Sequence, residues 1–140
     1  MNMKNLFKIL ASLAFVSFVI SCGSDSPDVD PMENKGIGPI SSVTLGDINP
    51  AMAAEGEKTF KQICQMCHKL DADHIGPALR GITNRRSTEW IMNLVMNTSE
   101  MLQKDPIAME LKRKRAATMA VGDLAESDVR NLLEYLRTQE

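Results

Sequence analysis

The sequence predicts an all-α domain, and three observations favour this fold class. Apolar residues recur at three- and four-residue spacing in several segments, which is the period of one helix face. Two of these segments begin with a capping residue followed by proline, at Asn49-Pro50 and Asp105-Pro106, which is typical of helix starts. No run of alternating β-branched residues indicates a strand. We therefore expect four helices, with loops at Gly76-Pro77, Gly81 and Gly122.

The first predicted helix follows Asn49-Pro50, covers residues 51–64 and has one face formed by Ala53, Gly56, Phe60 and Ile63. A glycine inside a helix costs about 1 kcal/mol relative to alanine. We therefore expect Gly56 to permit the close approach of another backbone.

Three further helices follow the same logic. The second covers residues 87–97, is capped by Ser87 or Thr88, and presents Trp90, Ile91, Leu94 and Val95. The third begins at Asp105-Pro106 and carries Ile107, Ala108 and Leu111. The last covers residues 126–138 and has an apolar stripe of Val129, Leu132, Leu133 and Leu136.

The N-terminus has the features of an export signal. Lys4 and Lys8 accompany a short apolar run that stops at Ser21-Cys22. The ending VISC resembles a bacterial lipobox, which implies cleavage after residue 21 and lipid on Cys22. An uncleaved membrane anchor is the alternative. Either way we expect an exported, periplasm-facing membrane protein, with the choice between inner and outer membrane open.

The chain is expected to have three parts. Residues 1–21 form the lipoprotein signal peptide. Residues 22–48 are rich in Gly, Pro, Ser and Asp without a helical period, so we expect a flexible tether. Residues 49–140 form the folded domain.

Composition limits the function. The chain has 140 residues, a net charge of −2 and 4% aromatic residues. Because aromatic side chains are so few, the core of a small domain must be filled by aliphatic side chains or by a non-protein group. The sequence lacks the concentration of basic residues that would indicate nucleic-acid binding. The one cationic run, residues 112–115, is typical of a solvated helix face.

The stretch Cys64-Gln65-Met66-Cys67-His68 carries the chemistry. A zinc site would need a fourth ligand, and no second CxxC or HxxxH motif supplies one. A redox dithiol would need a βαβ context and a cysteine at a helix N-terminus, and a structural disulfide is a further alternative. Covalent haem accounts for every element: two thiols three residues apart can bind one porphyrin edge, and the adjacent His68 can bind iron.

The domain resembles a known family. Residues 53–140 are similar to the small class I cytochromes c of bacterial respiratory chains, through the CxxCH motif, Gly56 and Phe60 on the first helix, and Leu132 and Tyr135 on the last. The resemblance implies a cytochrome c fold of four or five helices around one covalent haem c. It also implies that Pro77 offers its carbonyl to His68, and that Trp90 and Arg85 or Arg86 lie near the haem propionates.

The second axial ligand is expected among the methionines. Met119 lies in a helix-free stretch before the last helix, where the resemblance places the ligand, although Ala120 stands where the family usually has proline. Met92 and Met96 are expected to fill the core, Met101 is a minor candidate in a connecting stretch, and Met109 is not favoured. His74 is expected to be a surface histidine, because it is only six residues from His68.

The resemblance implies an electron carrier and not an enzyme. It would pass single electrons between donor and acceptor proteins of a respiratory chain, with no small-molecule substrate. One alternative is a haem-based ligand sensor or peroxidase-like enzyme with an open or displaceable sixth site. Another is a fixed electron-entry subunit of a larger complex, with residues 112–115 at the interface.

Overall fold

The structure is a computed structural model that describes residues 29–140, and this part of the chain is helical, without strands. Five α-helices follow one another: α1 (Pro50–Thr59), α2 (Thr88–Met96), α3 (Thr98–Lys104), α4 (Pro106–Arg113) and α5 (Glu126–Arg137). A π-helical turn, Phe60–Cys64, extends α1, and a 3₁₀ turn, Ile82–Asn84, precedes α2. The predicted all-α class is confirmed.

The predicted helix starts are confirmed by side-chain caps. The Asn49 carboxamide oxygen accepts hydrogen bonds from the amides of Ala51 and Met52, at 3.0 and 3.2 Å. The Ser87 hydroxyl accepts from the Trp90 amide at 3.1 Å, and Asp105 accepts from the Ala108 amide at 2.8 Å. Each bond satisfies one of the amides that a helix leaves unpaired at its first turn.

The crossing of α1 and α5 forms the centre of the core. A Cβ at Gly56 would lie 2.0 Å from the Asn131 carbonyl oxygen, so only glycine lets the two backbones approach this closely. The rings of Phe60 and Tyr135 pack beside this contact, with centroids 5.3 Å apart and planes tilted by 46°. The four residues of the predicted α5 stripe are all buried.

Residues 97–103 differ from the expectation. They were expected to connect two helices, but Thr98–Lys104 forms α3 and buries Met101 and Leu102. With seven residues, the helix is too short for its apolar positions to establish a period in the sequence. Its apolar side chains are buried by contact with α4, and such a tertiary contact leaves no local pattern in the sequence.

Residues 30–48, called the N-terminal strap below, pack against the helices. Asn93 of α2, which is 1% exposed, accepts from the Ile40 amide and donates to the Ile40 and Lys35 carbonyls, all at 2.9 Å. Asn34 donates to Asp105 at 2.7 Å, and Arg137 of α5 donates to the Gly46 carbonyl at 2.8 Å. The prediction of a flexible tether therefore does not hold for residues 30–48.

The strap has no helical period because it attaches through its backbone. The Ile37 and Ile40 carbonyls, the Lys35 carbonyl and the Ile40 amide are bound by side chains that lie more than fifty residues later in the chain, and Ile40 alone of the strap's apolar residues is buried. Gly, Pro and Ser are compatible with such an irregular path. Cys22, the predicted signal peptide and the first part of the predicted tether lie outside the described residues.

Within residues 29–140, no helix is long and apolar enough to cross a bilayer.

Candidate haem site

The π-helical turn at the end of α1 presents the CxxCH motif. The Gln65 amide donates to the Phe60 carbonyl at 2.9 Å, five residues back, and the His68 amide donates to the Cys64 carbonyl at 2.8 Å. Cys64, Cys67 and His68 are half-buried, whereas Met66 between them is 71% exposed. The turn thus directs the three chemically active side chains inward. Single π turns are frequent at functional sites.

The imidazole of His68 is oriented by a backbone carbonyl. Its Nδ1 lies 2.9 Å from the Pro77 carbonyl oxygen, the contact that the family resemblance implied. A carbonyl can only accept, so Nδ1 carries the proton and a neutral ring leaves the Nε2 lone pair free to bind a metal. The Pro77 carbonyl therefore selects the tautomer that iron ligation needs.

Gly76 lies directly against the same ring. A Cβ there would lie 2.3 Å from His68 Cε1 and 2.6 Å from its Nδ1. The Gly76 amide also donates to the Cys67 carbonyl at 2.7 Å, which fixes the loop against the motif. Residues 69–81, called the His68 loop below, thus form a cradle for the imidazole that a side chain at residue 76 would fill.

The two thiols are free, and the environment of Cys64 does not favour redox exchange. Burial, and next the neighbouring Cys67, raise the pKa of Cys64 to about 11, so this thiol stays protonated at neutral pH. A nucleophilic dithiol needs the opposite shift. In residues 29–140, no group of three or more His, Cys, Asp and Glu side chains is arranged to hold a metal ion, so nothing there supports a zinc site.

These residues fit a covalent haem. Two unpaired thiols and one imidazole with a free Nε2 lie on one turn, and the Gly76 cradle leaves no room for a larger loop residue behind that imidazole. Cys64 and Cys67 would hold the porphyrin, and His68 would bind the iron.

The methionines fall into distinct environments. Met119 is half-buried and packs against the core from the helix-free residues 115–125, called the Met119 loop below. Met92 and Met101 are fully buried, and the Met101 sulfur accepts a hydrogen bond from the Ile37 amide of the strap at 2.9 Å. Met66 and Met109 are exposed. Met52 and Met96 are also half-buried but lie on α1 and α2, so among the methionines of residues 29–140 Met119 alone is both half-buried and outside a helix.

Trp90 and Arg85 have hydrogen-bond partners within the chain. Trp90 is 2% exposed and its indole N–H donates to Asp105 at 3.0 Å. Arg85 Nη2 donates to the Ala78 and Arg80 carbonyls, both at 3.0 Å, and so braces the His68 loop. Arg86 lies 5.4 Å over the Trp90 ring. His74 is exposed on the loop, as predicted.

One contact at the site has no signal in the sequence. Asp73 accepts from the Ala78 amide at 2.9 Å and from Arg115 Nη2 at 2.7 Å. These bonds hold the pKa of Asp73 below its usual value, the Ala78 amide contributing most and Arg115 next. Because forty-two residues separate the two side chains, no local pattern could have paired them.

Comparisons with known proteins agree with this site. A family model described as cytochrome c matches residues 53–140. A cytochrome c from Rhodothermus marinus is 41% identical with a TM-score of 0.71, over 72% of this chain and 88% of that one. An engineered cytochrome c from Rhodothermus marinus, bound to a carbene intermediate, is 40% identical with a TM-score of 0.67, over the same shares.

Curated relatives match over shorter stretches. A cytochrome c2 from Rhodopseudomonas palustris is 51% identical over 35 residues, which are 25% of this chain and 30% of that protein. The alignment thus spans less than a third of this curated relative. Because the family model covers more than half of the chain and the Rhodothermus marinus structure is matched over most of its length, the chain belongs to the cytochrome c family, which binds covalent haem c.

Proposed function

We propose that this protein is a mono-haem electron carrier in which His68 and Met119 bind the two faces of the iron. The observation that carries the proposal is the His68 cradle. A carbonyl at 2.9 Å sets the tautomer, and Gly76 lies too close to the ring for any side chain. The chain has one CxxCH motif, which supports a single haem.

The haem supplies an iron that alternates between the ferrous and ferric states. Cys64 and Cys67 make its attachment permanent, which suits a carrier that docks repeatedly. The His68–Pro77 hydrogen bond strengthens the imidazole as a ligand. A thioether from Met119 is a soft ligand that favours the reduced state and so raises the potential.

Ligation by Met119 would also decide between a carrier and an enzyme. With both axial positions taken by strong ligands, no position is left for a small molecule. The second candidate, a sensor or peroxidase-like protein, needs an open or displaceable sixth site. It is favoured by Ala120, which leaves the Met119 loop without proline, and by the carbene intermediate bound to the engineered relative.

We also propose that lipid on Cys22 holds the carrier at the periplasmic face of a membrane. Because the strap is packed on the helices, the free chain between Cys22 and the domain is shorter than the predicted tether. Six residues lie between Cys22 and Val29, the first described residue, and the seven extended Cα–Cα steps that join them span at most about 25 Å. Partners would therefore be redox proteins in, or docked at, the same membrane.

Carbon monoxide binding to the reduced holoprotein tests the closed sixth site. We expect the wild type to bind none and to titrate as a one-electron couple, whereas Met119→Ala binds carbon monoxide and has a lower potential. Met109→Ala is the matched control, because this exposed methionine lies outside the site and its removal should change neither property. Carbon monoxide binding by the wild type would favour the sensor or peroxidase-like candidate.

A further inference from the structure

We propose that Asp73 is a positioning residue that ties the Met119 loop to the His68 loop and so keeps the sixth iron position closed. This inference rests on the proposed ligation by Met119. It concerns what holds that residue in place, since the loop around it is otherwise weakly attached.

Asp73 joins the two loops through one carboxylate. One oxygen accepts from the Ala78 amide at 2.9 Å, and Ala78 directly follows Pro77, whose carbonyl orients His68. The other oxygen accepts from Arg115 Nη2 at 2.7 Å. The residues that fix the histidine side are thus linked by two consecutive hydrogen bonds to the start of the Met119 loop.

Arg115 differs from the rest of the cationic run. Its side chain is 26% exposed, whereas those of Arg113 and Lys114 are 72% and 62% exposed and pair with Glu110 on their own helix. Arg115 instead reaches Asp73 of the His68 loop. It is also the first residue of the Met119 loop, so its contact fixes the direction in which that loop leaves the helix.

The Met119 loop has few other polar attachments. Residues 116–124 make no hydrogen bond to any other part of residues 29–140. The loop contains Gly122 and no proline, so its backbone is not restrained locally. Apolar packing of Met119 and Leu124 on the core and the Arg115–Asp73 contact at its start are what hold the loop.

The size of the effect follows from exposure. Asp73 is 60% exposed, and exposed ion pairs contribute little to global stability. Opening of one loop is a local equilibrium of small free energy, and loss of an exposed ion pair shifts such an equilibrium about two- to fivefold. The contact therefore affects access to the iron more than unfolding.

Imidazole binding to the ferric holoprotein tests the proposal, because imidazole must displace Met119. Imidazole binding is measured as the loss of the weak far-red methionine–iron(III) absorption band. We expect Asp73→Asn and Arg115→Gln each to raise imidazole affinity about two- to fivefold, and the double variant to add little to either. Asparagine retains an acceptor for the Ala78 amide, so the His68 loop should still fold.

Asp71→Asn is the matched control. Asp71 lies in the same loop, is similarly exposed and pairs with Arg80, which belongs to the His68 loop itself. We expect imidazole affinity to stay at the wild-type value in this variant. If Asp73→Asn changed the affinity no more than Asp71→Asn does, the proposed link would be wrong.

The failure of this inference can be told apart from failure of the proposed function. If Met119→Ala abolishes the far-red band while Asp73→Asn and Asp71→Asn behave alike, Met119 is the ligand and the inference alone is wrong. If the band survives in Met119→Ala, the ligand assignment is wrong and the inference fails with it.

Discussion

Two residues next to His68 determine where its imidazole lies. The imidazole is bounded by the Pro77 carbonyl and by Gly76, where a Cβ would overlap the ring. Sequence reasoning identified Gly76-Pro77 as a loop and, from the resemblance, predicted the Pro77 contact. The requirement for glycine at residue 76 depends on the ring position, which only the fold supplies.

Gly76→Ala should disturb the site more than the fold. The added methyl group would force the imidazole or the loop to move, and overpacking of this kind costs roughly 1–3 kcal/mol. We expect less covalently bound haem per protein and a lower midpoint of thermal unfolding. Gly46→Ala is the control, since a Cβ there meets no atom within 4 Å. Equal haem content and midpoint in both variants would contradict this interpretation.

Residues carried over from the resemblance differ in the partners that hold them. The CxxCH motif is local, so its three side chains face one side of a single turn as the spacing implied. Trp90 and Arg85 are instead engaged by Asp105 and by the carbonyls of the His68 loop. These partners lie elsewhere in the chain or in its backbone, and residue identity alone does not reveal them.

Helices with long apolar stripes were predictable, and the irregular elements were not. The periods of α1 and α5 and the caps of α1, α2 and α4 are local signals, and the structure has them where predicted. The strap and α3 obtain their conformation from distant groups, chiefly Asn93 and the core around Met101. One signal was available for the strap: a buried asparagine on an apolar helix needs polar partners.

Asn93→Ala should release the strap. The substitution removes three hydrogen bonds and leaves the Lys35 carbonyl and both backbone groups of buried Ile40 without these partners, which costs roughly 2–4 kcal/mol. We expect a lower denaturation midpoint and faster hydrogen exchange at the Ile40 amide. Asn84→Ala, at an exposed asparagine, should change neither. Slow exchange at Ile40 in Asn93→Ala would show that other contacts hold the strap.

At the scale of the whole molecule, the strap changes the proposed range of the carrier. A tether of 27 residues would let the domain swing among neighbours. With residues 30–48 packed on the helices, only the short chain from Cys22 to Val29 would separate the domain from the lipid proposed on Cys22, and that lipid would hold the domain close to the membrane. Such a carrier is suited to partners that come to it along the membrane.

The acid stability of the fold should depend on Glu134. This side chain is 1% exposed, and burial opposes its ionisation, but Arg130 and Arg137 prevail and hold its pKa below the usual 4.5. A carboxyl with a lowered folded pKa stabilises the protein above about pH 4.5 and loses that contribution as the pH falls through the folded value.

Glu134→Gln should therefore lower stability at pH 7 by roughly 1–3 kcal/mol and make the decline in stability below pH 4.5 less steep. Denaturant unfolding at several pH values measures both changes. Glu55→Gln is the control, because Glu55 is exposed and its loss should leave the pH profile as in the wild type. An unaltered acid slope in Glu134→Gln would exclude this carboxyl as its source.

The central claim is that Met119 closes the second face of the haem iron, and the ferric absorption spectrum tests it most directly. Wild-type holoprotein should show the weak far-red methionine–iron(III) band, Met119→Ala should lose it, and Met109→Ala should keep it. The absence of this band from the wild type, or its persistence in Met119→Ala, would contradict the account.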